Sequence, residues 1–192
     1  MKTKYKVVLL TVCAVLLIAS AAFGTIAYLT DQETVTNTFT VGQVGITLYE
    51  TDNTKSDGSI TYIGNEYHLI PGHTYDKDPT IEVDSDSENC WLFVKIENGI
   101  AKIEDSNATV AAQMVANGWS IVDGEDSVYM YKEIAEPGTA YPVFATFKIA
   151  GDGVDNDEIA KYADAEIVVT AYAVQADGFT TAQDAWDATF GK

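Results

Sequence analysis

Apolar and polar residues alternate through most of this chain, and the alternation has the period of two that belongs to strands. Val44, Ile46 and Leu48 alternate with Gly45, Thr47 and Tyr49. Phe39 and Val41 extend that pattern upstream, with a bulge or kink at Gly42-Gln43. Ile60–Tyr62 and Tyr67–Leu69 flank Gly64-Asn65-Glu66, which predicts a hairpin. A turn at Pro71-Gly72 leads to a short strand from Thr80 to Val83. The clearest strand runs from Cys90 to Glu97. Its Cys90, Leu92, Val94 and Ile96 share one face, and Trp91, Phe93 and Lys95 share the other. Further strands are predicted at Trp119–Val122, Val128–Ile134 and Tyr141–Ile149. The apolar run Ala165–Ala176 reads as a central strand covered on both faces.

Two short helices interrupt this pattern. One lies between Ala108 and Asn117, capped by Ser106 or Asn107, stopped by Gly118, with Val110, Met114 and Val115 on one side. The other follows Thr180 or Thr181 and ends at Gly191; Trp186 and Phe190 are one helical turn apart and should dock it on a sheet. Many short strands at this spacing predict a mainly β fold, a jelly-roll-like two-sheet β-sandwich with one or two short helices.

The N-terminus follows a different rule. Lys2, Lys4 and Lys6 precede an uncharged apolar stretch from Val7 to Phe23, and small residues then cluster as far as Ala27. Positive, apolar and small segments in that order are what an export signal requires. Cleavage after Ala22 or after Ala27 satisfies the small-x-small rule; the second, between Ala27 and Tyr28, divides the chain into a signal peptide, 1–27, and one acidic domain, 28–192. A permanent membrane anchor is the competing reading of so long an apolar stretch, and it is not expected here. Export also requires a signal peptidase and translocation machinery as partners.

Charge and cysteine content narrow the function classes. The chain has 29 acidic and 11 basic residues, for a net charge of −18. Loss of Lys2, Lys4 and Lys6 with the signal makes it more negative still. Such a surface repels phosphate backbones, so no nucleic-acid partner is expected. Cys13 lies in the signal, which leaves Cys90 as a lone thiol in the domain, expected to be buried and inert. No LPxTG-type sorting signal is present.

Catalytic motifs are scarce. His68 and His73 are separated by Pro71-Gly72, which forbids the helix of an HExxH zinc site. There is no G-x-S-x-G elbow and no phosphate-binding glycine loop. Two acidic runs stand out: Asp84, Asp86 and Glu88, and a second comprising Asp152, Asp155, Asp157 and Glu158 around Gly151 and Gly153. Each reads as a solvated loop or as oxygen ligands for calcium, with the second run the better candidate. No cofactor is otherwise expected.

Several segments together resemble one family. They are Gly24-Thr25-Ile26-Ala27-Tyr28-Leu29-Thr30-Asp31, Asn37-Thr38-Phe39-Thr40-Val41-Gly42, Pro71-Gly72 with Lys77-Asp78-Pro79-Thr80, Val94-Lys95-Ile96, and Ala171–Ala176 with Trp186. The chain thereby resembles the TasA/camelysin (CalY) family of exported proteins processed by a SipW-type signal peptidase. The resemblance implies a jelly roll secreted to the cell surface or extracellular matrix. It also implies a biofilm fibre in which the mature N-terminal segment enters a neighbouring subunit as a strand, so that the partner is a second copy or a related matrix protein. Leu29–Phe39 suits that role: it lacks proline and glycine, and Leu29, Val35 and Phe39 fall on one face of an extended strand. The same segment reads equally as a first strand within its own domain. The metallopeptidase label of camelysin relatives transfers no residue, because no zinc motif matches, and the chain is not expected to be an enzyme. A monomeric surface binding module using Tyr62, Tyr67, Tyr75 and Trp119 is the alternative.

Overall fold

The structure is a computed structural model that describes residues 11–16 and 43–191. The chain separates into two units at Thr40/Val41. The described part of the first, residues 11–16, is helical and exposed. Ala27, Tyr28, Leu29, Val35 and Phe39 lie outside the described residues. Among those described, no helix is long and apolar enough to cross a membrane.

The second unit is mainly β. Its strands are β1 (Ile46–Thr51), β2 (Ile60–Thr61), β3 (Thr74–Asp76), β4 (Thr80–Val83), β5 (Cys90–Asn98), β6 (Trp119–Ile121), β7 (Val128–Tyr131), β8 (Ala140–Pro142), β9 (Thr146–Lys148) and β10 (Ile167–Gln175). The helices are α1 (Val110–Ala116), α2 (Asn156–Ile159) and α3 (Ala182–Thr189). All pairings are antiparallel. One four-stranded sheet has the order β2-β1-β4-β8 and a second has the order β10-β5-β7-β6, with β3 and β9 forming a separate pair.

The period-two pattern explains how the sheets stack. Ile81 and Val83 of β4 meet Leu92, Val94 and Ile96 of β5 in one buried cluster, so the two sheets face each other as a β-sandwich. Val110 and Met114 of α1, Trp119, Phe144 and Phe147 close that core. The opposite face of β5 presents Trp91 and Phe93 to Ala182, Ala185 and Trp186 of α3. Both faces of β5 are therefore buried, as its sequence predicts, and the Trp186 and Phe190 rings lie 4.5 Å apart.

The structure corrects several details. Thr109, and neither Ser106 nor Asn107, caps α1, its hydroxyl accepting from the Ala112 amide. Asp105 instead closes a local turn by accepting from the Asn107 amide. Val115 is exposed. Gly118 does end α1; its φ of +91° is left-handed, where a side chain would be strained. No hairpin joins Ile60–Tyr62 to Tyr67–Leu69. Ile60 and Thr61 pair with Thr51 and Glu50 instead, while Tyr67 is held through its side chain, donating to the Asp76 carbonyl and packing on Tyr75 and Phe147. Tyr141–Ile149 is two strands, because Pro142 lacks an amide and the Gln113 side chain accepts from the Ala145 and Thr146 amides. Finally, among the described strands Ile167–Gln175 lies at a sheet edge and not at its centre.

Candidate functional site

Sheet edges expose unpaired backbone groups, and proteins usually shorten or block them. Three edges of this sandwich follow that rule. β2 has two residues and β6 three. β8 has three and ends in Pro142, which has no N–H to offer. β10 does the opposite: Ile-Val-Val-Thr-Ala-Tyr-Ala-Val-Gln, nine residues without charge, proline or glycine. Its one strand partner among the described residues is β5.

Hydrogen-bond parity identifies which groups face outward. Gly99 donates to the Glu166 carbonyl at 2.8 Å, and Ala176 donates to the Asn89 carbonyl at 2.9 Å. Those residues sit opposite one another in the β5–β10 register, which runs from Ile167↔Asn98 to Gln175↔Cys90. In an antiparallel ladder, residues that exchange bonds alternate with residues whose backbone points away. Even-numbered residues of β10 therefore bond to β5. Ile167, Val169, Ala171, Ala173 and Gln175 direct their N–H and C=O groups away from β5, to an edge that no described strand pairs.

A groove of about 930 Å³ lies beside this edge. One wall is β10 with the segment before it, including Ala165, Ile167 and Val169; the other is β1 with the loop after β2, including Leu48 and Tyr62. Ile100 and Phe147 contribute apolar side chains from within. On β1, residues 46–49 pair with β4 on one side, and β2 reaches only Glu50 and Thr51 on the other. Two strand edges thus flank one cleft of mixed polar and apolar lining. Tyr62 and Ile63 stand at its rim, 67% and 97% exposed. Asn65 anchors that loop by donating to the Thr51 carbonyl and to Glu50 Oε2 while accepting from the Asn53 amide.

A buried ion pair supports the groove. Lys77 Nζ donates to Glu50 Oε1, and both residues are buried. The neighbouring Tyr67 phenol is pushed up strongly, first by burial and then by the Glu50 charge. Carboxylates rim the opening at Glu66, Asp164 and Glu166.

The residues singled out from sequence fare differently. Asp152, Asp155, Asp157 and Glu158 form no metal-binding group: among the described residues no cluster of three or more His, Cys, Asp or Glu side chains could hold an ion. Asp155 caps α2, accepting from the Glu158 amide at 2.8 Å, and Glu158 pairs with Lys161. Asp84 likewise serves structure, accepting from the Thr47 hydroxyl. His68 is exposed, and His73 packs on the Tyr75 ring. Cys90 is buried, and burial pushes its thiol up to about 11. Of the aromatic residues named for a binding face, Tyr62 and Tyr67 line the groove. Tyr75 stacks on Phe147, and Trp119 is core, donating to the Pro142 carbonyl. The open edge of β10 and the Glu50–Lys77 pair are absent from the sequence reading. The only signal for the edge was a long uncharged run, which burial on two faces explains equally well.

Comparison with family models, curated proteins and solved structures finds no match.

Proposed function

We propose that this chain is a secreted or cell-surface structural protein, a subunit or accessory component of a biofilm-matrix fibre of the TasA/camelysin type. Assembly is by strand addition. The N-terminal segment of one copy, bearing Leu29, Val35 and Phe39, pairs with β10 of the next and lays its apolar side chains into the adjacent groove. The single observation that carries this reading is the outward backbone row of β10, nine uncharged residues whose one strand partner among the described residues is β5. Strand addition uses that kind of surface: main-chain bonds supply affinity, and pockets for alternate side chains supply register. Burying each large apolar donor side chain contributes about 1.5–3 kcal/mol.

The test is electron microscopy of the chain beginning at Tyr28 beside one beginning at Thr40. Filaments from the longer chain alone are expected. Filaments from both, or from neither at neutral and acid pH, would remove the N-terminal segment from the mechanism. In the second case the groove, with Tyr62, Tyr67 and Asn65 on its lining, favours a monomeric binding module. Neither reading assigns the chain a catalytic residue.

A further inference from the structure

We propose that β10 also pairs with β10 of a second copy, giving a two-fold dimer that blocks the edge used for fibre growth and holds the chain in an unpolymerised form. The regulatory part of this inference rests on the strand-addition reading; the pairing itself does not. The outward backbone groups belong to odd-numbered residues, so an antiparallel partner must match odd with odd. Full overlap of the nine residues puts Ala171 on the two-fold axis, opposite Ala171 of the second copy. Val169 then faces Ala173, and Ile167 faces Gln175. Roughly ten backbone hydrogen bonds would join the copies, two at each matched pair of outward-facing residues.

Side chains and charge favour that register. On the face that carries α3, Val168 falls opposite Val174 of the second copy and Thr170 opposite Tyr172, while Tyr172 and Val174 keep their packing against α3 of their own copy. These are apolar and hydroxyl–aromatic cross-strand pairs of a kind that stabilises sheets. Val168 is 39% exposed in the single chain and gains a neighbour. The chain is strongly acidic, yet no residue of β10 is charged. Glu166, just before the strand, falls opposite Ala176 and not opposite another acid. On β5, Lys95 lies across from Thr170 and is paired with Glu97 at 3.0 Å, so the neighbouring strand brings a neutralised pair to the interface. The nine paired residues of two copies therefore meet without a carboxylate between them, and acids come near one another only beyond the strand ends, where Asp177 of the second copy falls opposite Ala165; an N-terminal donor strand would itself carry Asp31 and Glu33 to the edge. Dimer and fibre compete for the same five outward residues.

Sedimentation velocity and electron microscopy test this on the chain from Tyr28, which retains the whole Val41–Lys192 unit. Three variants accompany it: Leu29→Asp/Phe39→Asp, Ala171→Pro and Thr170→Lys. The N-terminal double variant should form dimers like the parent and no filaments. Ala171→Pro should sediment as a monomer with an unchanged melting temperature. Thr170→Lys sets two lysines beside the axis; it should weaken the dimer at least tenfold at low salt and recover at high salt as the charges are screened. It keeps the test valid if the proline variant misfolds. A monomeric N-terminal double variant at all concentrations, or a dimer unaffected by Thr170→Lys, overturns the proposal. Filaments from the parent chain without any dimer would leave strand addition standing alone. Dimers without filaments under any condition would retain the β10 pairing and remove both its regulatory role and the fibre reading.

Discussion

Proline scanning of β10 separates its two rows of backbone groups. Ala171 directs its N–H away from β5, so Ala171→Pro removes no bond of the β5–β10 ladder. The preceding Thr170 is already in a strand, the conformation that proline requires of its predecessor. Proline is tolerated at edge strands when its missing N–H faces outward. The expected change in unfolding free energy is within about 1 kcal/mol, the scale of an ordinary solvent-facing substitution. Thr170, one residue earlier, lies opposite Lys95 and faces the ladder. Thr170→Pro removes an internal hydrogen bond and forces the ring against β5, which should cost about 3 kcal/mol or more. Denaturant unfolding followed by far-ultraviolet circular dichroism measures both. For fibre growth the order reverses in meaning: Ala171→Pro leaves a folded subunit whose acceptor edge lacks one donor and carries a ring where the incoming strand must lie. An unpaired carbonyl buried in that new interface costs about 1–3 kcal/mol, before any clash is counted. Light scattering should therefore show at least a tenfold fall in elongation from a well-folded protein. Equal destabilisation by the two prolines would refute the parity argument. Normal fibre growth by folded Ala171→Pro would refute the choice of β10 as acceptor.

Other expectations follow from the core and its polar inclusions. Lys77→Met strands the buried Glu50 carboxylate and should destabilise by about 3–5 kcal/mol, whereas Lys77→Met/Glu50→Leu should recover most of the loss in the same denaturant titration. Trp186→Ala empties the contact between α3 and Phe93, whose ring centroid lies 5.1 Å from that of Trp186, and should cost about 3–5 kcal/mol. Glu104 sits partly buried, accepting from the Val110 amide and from Asn98, and burial raises its carboxyl above the usual range. A raised carboxyl favours folding most when protonated; that contribution is complete below its unfolded value and is lost as pH rises through the folded one. The melting temperature of Glu104→Gln relative to the parent should therefore be more favourable at pH 7 than at acid pH, and a difference of opposite slope would refute the assignment.

What could be read from the sequence was the set of faces; what could not was the set of edges. Periodicity reports which side chains are buried, and for β5 that sufficed: Cys90, Leu92, Val94 and Ile96 enter one core while Trp91 and Phe93 enter the other. Thr80–Val83 and the docking of Trp186 were legible for the same reason. The same logic read Ile167–Gln175 as central, and among the described strands it has one neighbour. Its inner residues pack on the opposite sheet, and Tyr172 and Val174 pack beneath α3, so both faces are apolar. Apolar faces say nothing about whether a strand has one neighbour or two, because ladder bonds are made by the backbone and leave no mark on side-chain pattern. The side-chain tethers of Tyr67 and Gln113 were hidden for a related reason, since a single polar residue bonding a distant backbone has no period.

That distinction bears on function as well as prediction. An ordinary edge strand shows its status in sequence, through a proline, a lysine or brevity, because each defence is a side-chain or length feature. β8 and β2 show such features. β10 shows none, and its sequence is that of a strand with partners on both sides. A chain with so many carboxylates had many ways to place one on this edge, and a single inward or outward acid among nine residues would have discouraged pairing. The absence of any charge in β10 suits an edge that a further strand completes, as the proposed assembly requires. It is why the β10 substitutions, and not those at the acidic loops or the histidines, are the informative ones.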